Sequence, residues 1–138
     1  MPAFDDRVHT AASPAAVWKL LYDPSRFTEW WVGIGSVEPE AAAPGADASA
    51  YTMYPDGYPD FPMPQTLRTD RHNQQVTISC LVSDLLFVWR LTRAEDGSGT
   101  DIEVHVDIPE SEAARLSAQR EIIHGSLLRL AELAHAPH

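Results

Sequence analysis

Residues 11–31 read AASPAAVWKLLYDPSRFTEWW and contain two consecutive signals for the start of a helix. In Ser13-Pro14 and again in Asp23-Pro24, a residue whose side chain caps free backbone N–H groups precedes a proline suited to the first helical position. Apolar side chains follow each signal: Val17, Trp18, Leu20 and Leu21, then Phe27, Trp30 and Trp31. The stretch predicts two short helices, placed end to end and rich in aromatic residues.

The chain around these helices is mostly strand-like. Weak alternation predicts a first strand at residues 4–10, and further strands are predicted at 34–37 and near 50–54. From Gln65 onward, apolar and polar residues alternate in strands separated by turn signals at Asn73-Gln74, Ser83-Asp84 and EDGSG. Two loops interrupt this pattern: residues 38–49, rich in Ala, Pro and Gly, and the proline-rich residues 55–64.

One long helix is predicted at residues 111–134, after Pro109 ends the last strand. One stripe of it carries Leu116, Arg120, Ile123, Leu127, Leu130 and Ala134. A half-buried antiparallel sheet and a one-stripe helix must pack on each other. The prediction is an α+β fold, in which a curved antiparallel sheet of about six or seven strands wraps around the C-terminal helix. Residues 1–138 are expected to form this single domain.

Composition excludes several function classes. The chain has 138 residues, 44% hydrophobic residues and a net charge of −10. This acidity argues against binding to nucleic acid and to anionic membranes, both of which need clustered cations. Apolar runs are too short for a membrane span, the N-terminus does not resemble a secretion signal, and Cys80 is a lone cysteine. A cytoplasmic protein is expected, either a monomer or a homodimer.

The opening of the chain resembles a known family. The strand running into Ser13-Pro14, together with Asp23-Pro24 and the pair Trp30-Trp31, is similar to the polyketide cyclase/dehydrase-like branch of the SRPBCC (START-like, helix-grip) superfamily. The resemblance covers the whole chain in element order and is specific in residues at positions 10–37. It implies a sheet that grips the long helix, often around an apolar cavity for lipids, sterols, polyketides or aromatic compounds. The proline-rich loop is not part of this pattern.

Arg120 stands out because it is a charged residue on the apolar stripe. One interpretation is that it lines the cavity and holds a carboxylate, phenolate or carbonyl oxygen of a ligand through a forked hydrogen bond. The alternative is that its side chain reaches water, or pairs with an acid such as Asp107 or Glu112.

Further candidates for the cavity lining are apolar and aromatic. Trp89, Tyr51 and Met53 either wall a flat hydrophobic ligand or form ordinary core packing. Ile123 and Leu127 of the helix are candidate ligand contacts opposite the sheet. The aromatic residues of the proline-rich loop either form a lid or anchor the loop; they are Tyr54, Tyr58 and Phe61.

The chemistry-bearing side chains do not form a recognisable catalytic set. His124, one turn after Arg120, is a candidate ligand contact and proton-transfer residue, or a surface histidine. His105 and Asp107 share one side of a strand, but two ligands are too few for a metal site. Cys80 is predicted to be a core thiol. The catalytic residues stay unknown, and neither a metal nor a cofactor is expected.

Three functions remain open. The leading hypothesis is binding of a small hydrophobic or aromatic ligand, polyketide- or lipid-like, between the sheet and the C-terminal helix. The second is a polyketide cyclase- or dehydratase-type enzyme in which Arg120 polarises a carbonyl and His124 or a tyrosine moves a proton. The third is a protein-interaction module like the homologues of heat-shock ATPase activators. Whether the chain is an enzyme is left undecided.

Overall fold

Antiparallel strands form one sheet in the computed structural model, which describes residues 2–40 and 48–135. Seven strands lie in this part of the chain, in the order β1-β7-β6-β5-β4-β3-β2, so β1 and β2 are the edges. The strands are β1 Ala3–Thr10, β2 Ile34–Pro39, β3 Ala48–Pro55, β4 Met63–Asp70, β5 Gln75–Cys80, β6 Leu86–Arg93 and β7 Thr100–Asp107. The predicted α+β architecture is confirmed.

The two short helices begin at their predicted caps. The Ser13 hydroxyl accepts a hydrogen bond from the Ala16 backbone N–H (3.2 Å) at the start of helix α1, Pro14–Leu21. The Asp23 carboxylate accepts one from the Ser25 N–H (3.0 Å) at the start of the second element, Pro24–Glu29. This second element is a 3-10 helix, so its residues form a tighter turn than an α-helix.

The C-terminal helical region differs from the single helix predicted at 111–134. A 3-10 helix, Glu110–Arg115, comes first and is followed by α2, Leu116–His135. Inside the 3-10 helix, the backbone of Glu112 (φ −115°, ψ 16°) leaves the helical conformation, so the regular α-helix starts later than predicted. Since α2 has 20 residues, it is about 30 Å long.

The proline-rich loop is shorter than the predicted 55–64. Strand β3 continues through Pro55, and β4 already contains Pro64, so residues 56–62 connect them. Proline lacks an N–H but keeps its carbonyl, and the Pro64 carbonyl accepts a hydrogen bond from the Leu81 N–H (3.0 Å). A proline near a strand end therefore keeps half of its pairing capacity.

Strand β3 and its neighbour β2 include residues that the sequence assigned to loops. Tyr54 lies in β3 rather than in the loop, and its hydroxyl donates to Glu38 of β2 (3.3 Å). The loop predicted at 38–49 is wrong at both ends, since Glu38 and Pro39 belong to β2 and Ala48 and Ser49 to β3; its residues 41–47 lie outside the described residues.

An aromatic cluster fills the core beside α1 and the first 3-10 helix. Trp30 and Trp89 are fully buried, with ring centres 5.2 Å apart. The buried residues of helix α2 cover the core. At the end of β1, the Thr10 hydroxyl donates a hydrogen bond to the Ala131 carbonyl of α2 (3.0 Å). The helix thus lies against the β1 side of the sheet.

Candidate functional site

A cavity of about 170 Å³ lies between α2 and the part of the sheet formed by β3, β4, β5 and the start of β6. The chain just after the first 3-10 helix closes one side of it. Most of its lining is apolar or aromatic: Trp31, Val32, Ile34, Met53, Pro55, Met63, Leu85, Phe87 and Ile122. A mostly apolar, concave lining with a few polar groups is typical of small-molecule sites.

One wall of the cavity is the edge of the aromatic core. Trp31 and Phe87 both line it, and their rings meet edge to face with centres 5.1 Å apart. Trp31 also stacks on Trp30 (5.4 Å) and contacts Phe27 (5.4 Å). Because its ring is held on several sides, Trp31 offers a preformed aromatic surface to whatever enters.

A buried polar pair lies on the sheet side of the cavity. Gln65 of β4 is 5% exposed and lines the cavity, and its Oε1 accepts a hydrogen bond from the Tyr51 hydroxyl of β3. Burial raises the pKa of the Tyr51 phenol above its usual range, so the hydroxyl stays protonated and acts as the hydrogen-bond donor to Gln65. A glutamine side chain has one carbonyl oxygen and two N–H donors. With the oxygen bonded to Tyr51, the donors are the groups left for a ligand.

Two smaller polar groups lie beside Gln65. Cys80 of β5 is the strand partner of Gln65 and also lines the cavity, with 3% of its surface exposed. Ser83, in the turn after β5, lines it too and is 6% exposed. The predicted core thiol Cys80 is thus buried and at the same time next to the cavity.

The helical side of the cavity carries the longer polar side chains. Arg115, at the end of the second 3-10 helix, and Gln119 of α2 both line it. The Arg115 guanidinium is 3.8 Å from the Glu112 carboxylate, and its side chain is 40% exposed. Arg115 is therefore the cationic group at the boundary between the cavity and water.

Residues 31–33 are fixed against α2 by a buried hydroxyl. The Ser126 hydroxyl accepts a hydrogen bond from the Val32 N–H (2.9 Å) and donates to the Ile122 carbonyl (2.7 Å). At Gly33 the backbone has a positive φ of 92°, and its carbonyl accepts from the Asp56 N–H (2.8 Å). These bonds place residues 31–33 as a spacer between the helix and the sheet.

The predicted site residues separate into three groups. Met53 lines the cavity. Four are buried in the core and do not line the cavity: Tyr51, Trp89, Ile123 and Leu127. The remaining two, Arg120 and His124, lie on the other flank of α2.

Arg120 does not lie in the buried stripe, and this part of the prediction is wrong. Its side chain is exposed, and its guanidinium carbon is 5.3 Å from the centre of the Phe4 ring in β1. The reason is that β1 is an edge strand, so the helix flank above it reaches solvent. The alternative stated for Arg120, a side chain that reaches water, describes this position. Its ligand-binding role remains a prediction without a contact to the cavity.

His124 is also on this outer flank. Its Nδ1 is 3.1 Å from the Asp6 carboxylate, and its side chain is 61% exposed. Asp6 lies in β1, two residues after Phe4, so Arg120 and His124 both contact the same strand. The structure therefore brings these two residues together, but not with the cavity.

The outer face of the sheet holds a second histidine cluster. His105 of β7 has Nδ1 2.8 Å from Asp5 and Nε2 3.0 Å from Asp107. These hydrogen bonds, the Asp5 one first, raise the pKa of the His105 imidazole. Within residues 2–40 and 48–135, no group of three or more His, Cys, Asp or Glu side chains is arranged to hold a metal ion.

The sequence reasoning missed most of the polar lining. Gln65, Ser83, Arg115 and Gln119 were not proposed as site residues. A signal was available for Gln65, which occupies the same inward phase of β4 as Leu67. An amide at an inward strand position needs buried partners, and this requirement identifies it as a candidate.

None of the helices in the described ranges combines the length and the apolarity needed to cross a bilayer.

Comparison with known proteins supports a family assignment. Residues 1–135 match the family model described as "Polyketide cyclase / dehydrase and lipid transport". No curated protein matches the sequence.

Several solved structures share the fold at low sequence identity. The Zhui aromatase/cyclase from Streptomyces sp. R1128 aligns with a TM-score of 0.79 and 14% identity, covering 96% of this chain and 93% of that one. The protein XoxI from Bacillus cereus aligns with a TM-score of 0.74 and 14% identity, covering 96% and 94%. The di-domain aromatase/cyclase StfQ of the steffimycin biosynthetic pathway aligns with a TM-score of 0.75 and 11% identity, covering 96% of this chain and 50% of StfQ.

At these identities the structural matches establish the helix-grip fold, and the family model establishes membership. The chain belongs to the polyketide cyclase/dehydrase and lipid transport family, of the SRPBCC helix-grip type.

Proposed function

We propose that this protein binds a small hydrophobic or aromatic molecule in the cavity between α2 and the sheet. The observation that carries the proposal is a space of about 170 Å³ with apolar walls and a buried amide, Gln65, whose oxygen is already bonded to Tyr51. The family description, which includes cyclases and lipid transport, agrees with a ligand in this position.

The polar groups of the lining suit binding and orientation. Four lining groups are able to donate a hydrogen bond to an oxygen atom of a ligand: the amides of Gln65 and Gln119, the Ser83 hydroxyl and the Arg115 guanidinium. Few placed donors in an apolar pocket fix the orientation of a ligand whose remaining surface is buried by contact. Ligand release and uptake then take place at the partly exposed Arg115.

An enzyme of the cyclase or dehydratase type is the second candidate. It is favoured by the full-length structural match to the Zhui aromatase/cyclase. In such an enzyme the cavity orients a reactive chain, which by itself lowers a barrier substantially. Turnover of a carbonyl-bearing ligand that is first identified by binding separates this candidate from the first.

The experiment is a thermal-shift screen of aromatic compounds, fatty acids, flavonoids and sterols, repeated on two matched variants. Ile122→Trp fills the cavity with a large side chain, whereas Leu128→Trp places the same side chain on the exposed side of α2. A ligand at a hundred times its dissociation constant adds about 2.7 kcal/mol to the unfolding free energy. We expect a hit to shift the wild type and Leu128→Trp but not Ile122→Trp.

Two results contradict the proposal. One is a hit that is retained in Ile122→Trp, which would place binding elsewhere. The other is the lack of any shift across the panel while both variants remain folded, which would favour the protein-interaction function. The exposed apolar side chains Tyr58, Phe61, Leu81 and Val82 would then be the surface to examine.

A further inference from the structure

The cavity contains a deeply buried amide, Gln65, with hydrogen-bond donors to spare. Gln65 is 5% exposed, and its oxygen accepts from Tyr51, which is itself 1% exposed. This bond sets which way the amide points, because a flipped amide would donate to the Tyr51 oxygen and take away the acceptor that the buried hydroxyl's own proton has in the structure. The two N–H donors are thereby directed away from Tyr51, and Gln65 lines the cavity.

The Gln65 N–H donors open onto the cavity, so a ligand that covers them without supplying an acceptor leaves them unpaired, which is costly. Carbonyl, ether and phenolate oxygens are acceptors. A purely hydrocarbon ligand would displace water from the amide without replacing its hydrogen bond, and this loss reduces affinity.

The cavity also limits the size of the occupant. Its volume is about 170 Å³. An engineered protein cavity of about 150 Å³ holds one benzene molecule, whereas sites for drug-sized ligands span about 300–1,000 Å³. The space inside the walls therefore has room for one ring with a short substituent, and a larger ligand would extend past Arg115 into water. The rings of Trp31 and Phe87, 5.1 Å apart, form an aromatic wall for such a ring.

From these features we infer that the cavity selects single-ring aromatic molecules that carry an acceptor oxygen, and that Gln65, oriented by Tyr51, is the residue that recognises this oxygen. The inference rests on the proposed function and narrows its ligand class. Polycyclic ligands such as sterols fall outside it.

The test compares acetophenone, which has a ring and a carbonyl, with ethylbenzene, which has the same skeleton without oxygen. Dissociation constants are measured by two-dimensional NMR titration of the ¹⁵N-labelled protein. We expect acetophenone to bind the wild type about tenfold more tightly, as one additional hydrogen bond gives. A Gln65 side-chain N–H resonance should move downfield with acetophenone, as a new hydrogen bond requires, beyond any ring-current shift that ethylbenzene causes.

Variants then assign the preference to Gln65. Gln65→Leu alone leaves the Tyr51 hydroxyl buried without a partner, so the double variant Tyr51→Phe/Gln65→Leu is used to remove both polar groups together. We expect the tenfold preference to fall to about one in the double variant. Gln75→Leu is the matched control, because Gln75 lies on β5 with its amide oxygen bonded to Arg90, away from the cavity. It should keep the full preference.

The outcomes separate this inference from the proposed function. If neither compound shifts the cavity resonances, this inference fails, and the proposed function is then decided by the larger ligands of the thermal-shift screen. If ethylbenzene binds as tightly as acetophenone, or if the double variant keeps the preference, the cavity binds ligands but the recognition by Gln65 is wrong. Tight binding of progesterone, a four-ring ketone, with shifts at Val32 and Ile122 would overturn the size limit. The Gln65 resonances report on the wild type, so the test does not depend on the folding of any variant.

Discussion

The two flanks of helix α2 carry similar polar side chains but meet the sheet in different ways. On the β1 flank, Arg120 lies 5.3 Å from the Phe4 ring and His124 lies 3.1 Å from Asp6, so the side chains close directly on the strand. On the other flank, Gln119 and Ile122 face a cavity.

The difference arises from what separates the helix from the sheet. Under the first flank the strand packs directly on α2. Under the second, residues 31–33 act as a spacer, held by the hydrogen bond from the Val32 N–H to the Ser126 hydroxyl (2.9 Å). The spacer approaches the helix closely, since a Cβ atom at Gly125 would lie 3.5 Å from a Val32 methyl group. The cavity on this flank is thus lined by the spacer itself, which lies between α2 and the sheet.

The largest expected loss of stability comes from truncating Trp30, which lies in the core next to the spacer. Trp30 is fully buried and its indole N–H donates to the Leu20 carbonyl (2.9 Å), so Trp30→Ala should lower the free energy of unfolding by about 3–5 kcal/mol. Chemical denaturation measures this. Tyr58→Ala is the control; Tyr58 is 67% exposed, and its loss should cost less than about 0.5 kcal/mol. Equal effects would mean that the aromatic cluster does not hold the fold together.

A smaller loss of stability is expected when the spacer loses its hydrogen bond to α2. Ser126→Ala removes the acceptor of the Val32 N–H and should cost about 1–3 kcal/mol, while also weakening ligand binding in the cavity. Ser117→Ala, at an exposed position of the same helix, should change neither quantity. Thermal denaturation and ligand titration of the two variants measure both. If Ser126→Ala binds ligand with the affinity of the wild type, the hydrogen bond that holds the spacer is not needed to form the cavity.

The closed flank should tolerate substitution better. Arg120→Leu removes a cation above an aromatic ring at an exposed site, so we expect a loss of no more than about 1 kcal/mol. Ligand affinity in the cavity should stay unchanged, because Arg120 is not part of the lining. Should acetophenone affinity fall in this variant, Arg120 would reach the ligand after all, and the contrast between the two flanks would be lost.

The smallest effect concerns pH and the outer face of the sheet. Hydrogen bonds to Asp5 and then Asp107 raise the pKa of His105 above 6.5, so the protonated form stabilises the folded protein. This contribution is complete below about pH 6.5 and is lost as the pH rises through the pKa of the folded state. The difference in unfolding free energy between wild type and His105→Gln should thus be larger at about pH 5.5 than at about pH 8. Solvent screening keeps it modest, because the side chain is 42% exposed. A difference independent of pH would show that the two carboxylates do not hold the imidazolium.

Local patterns predicted the elements of the fold well. Ser13 and Asp23 cap the two short helices as their sequence indicates, because capping depends on atoms only two or three residues away. The alternation at Ile102, Val104 and Val106 gives an inward face of β7 that is buried. Where local signals were incomplete, at the start of α2 and at the ends of the proline-rich loop, the boundaries differ from the prediction.

The candidate site was less predictable, as Arg120 and Gln65 illustrate. Helical periodicity placed Arg120 on the inward stripe, but periodicity does not say where the sheet beneath ends. Gln65 lay in an inward phase of β4, yet only its contact with Tyr51 on the neighbouring strand gives its amide a direction.

By itself, the amino-acid sequence determined the elements, their order and the apolar face of each, because backbone capping, turn chemistry and side-chain alternation act over a few residues. It also carried enough of the opening pattern to indicate the family. Only the tertiary structure decided which flank of α2 closes on the sheet and which remains open. The cavity is formed by residues as far apart in the chain as Trp31, Gln65 and Ile122. Their separation is fixed by packing and long-range hydrogen bonds, which leave no local signature in the sequence.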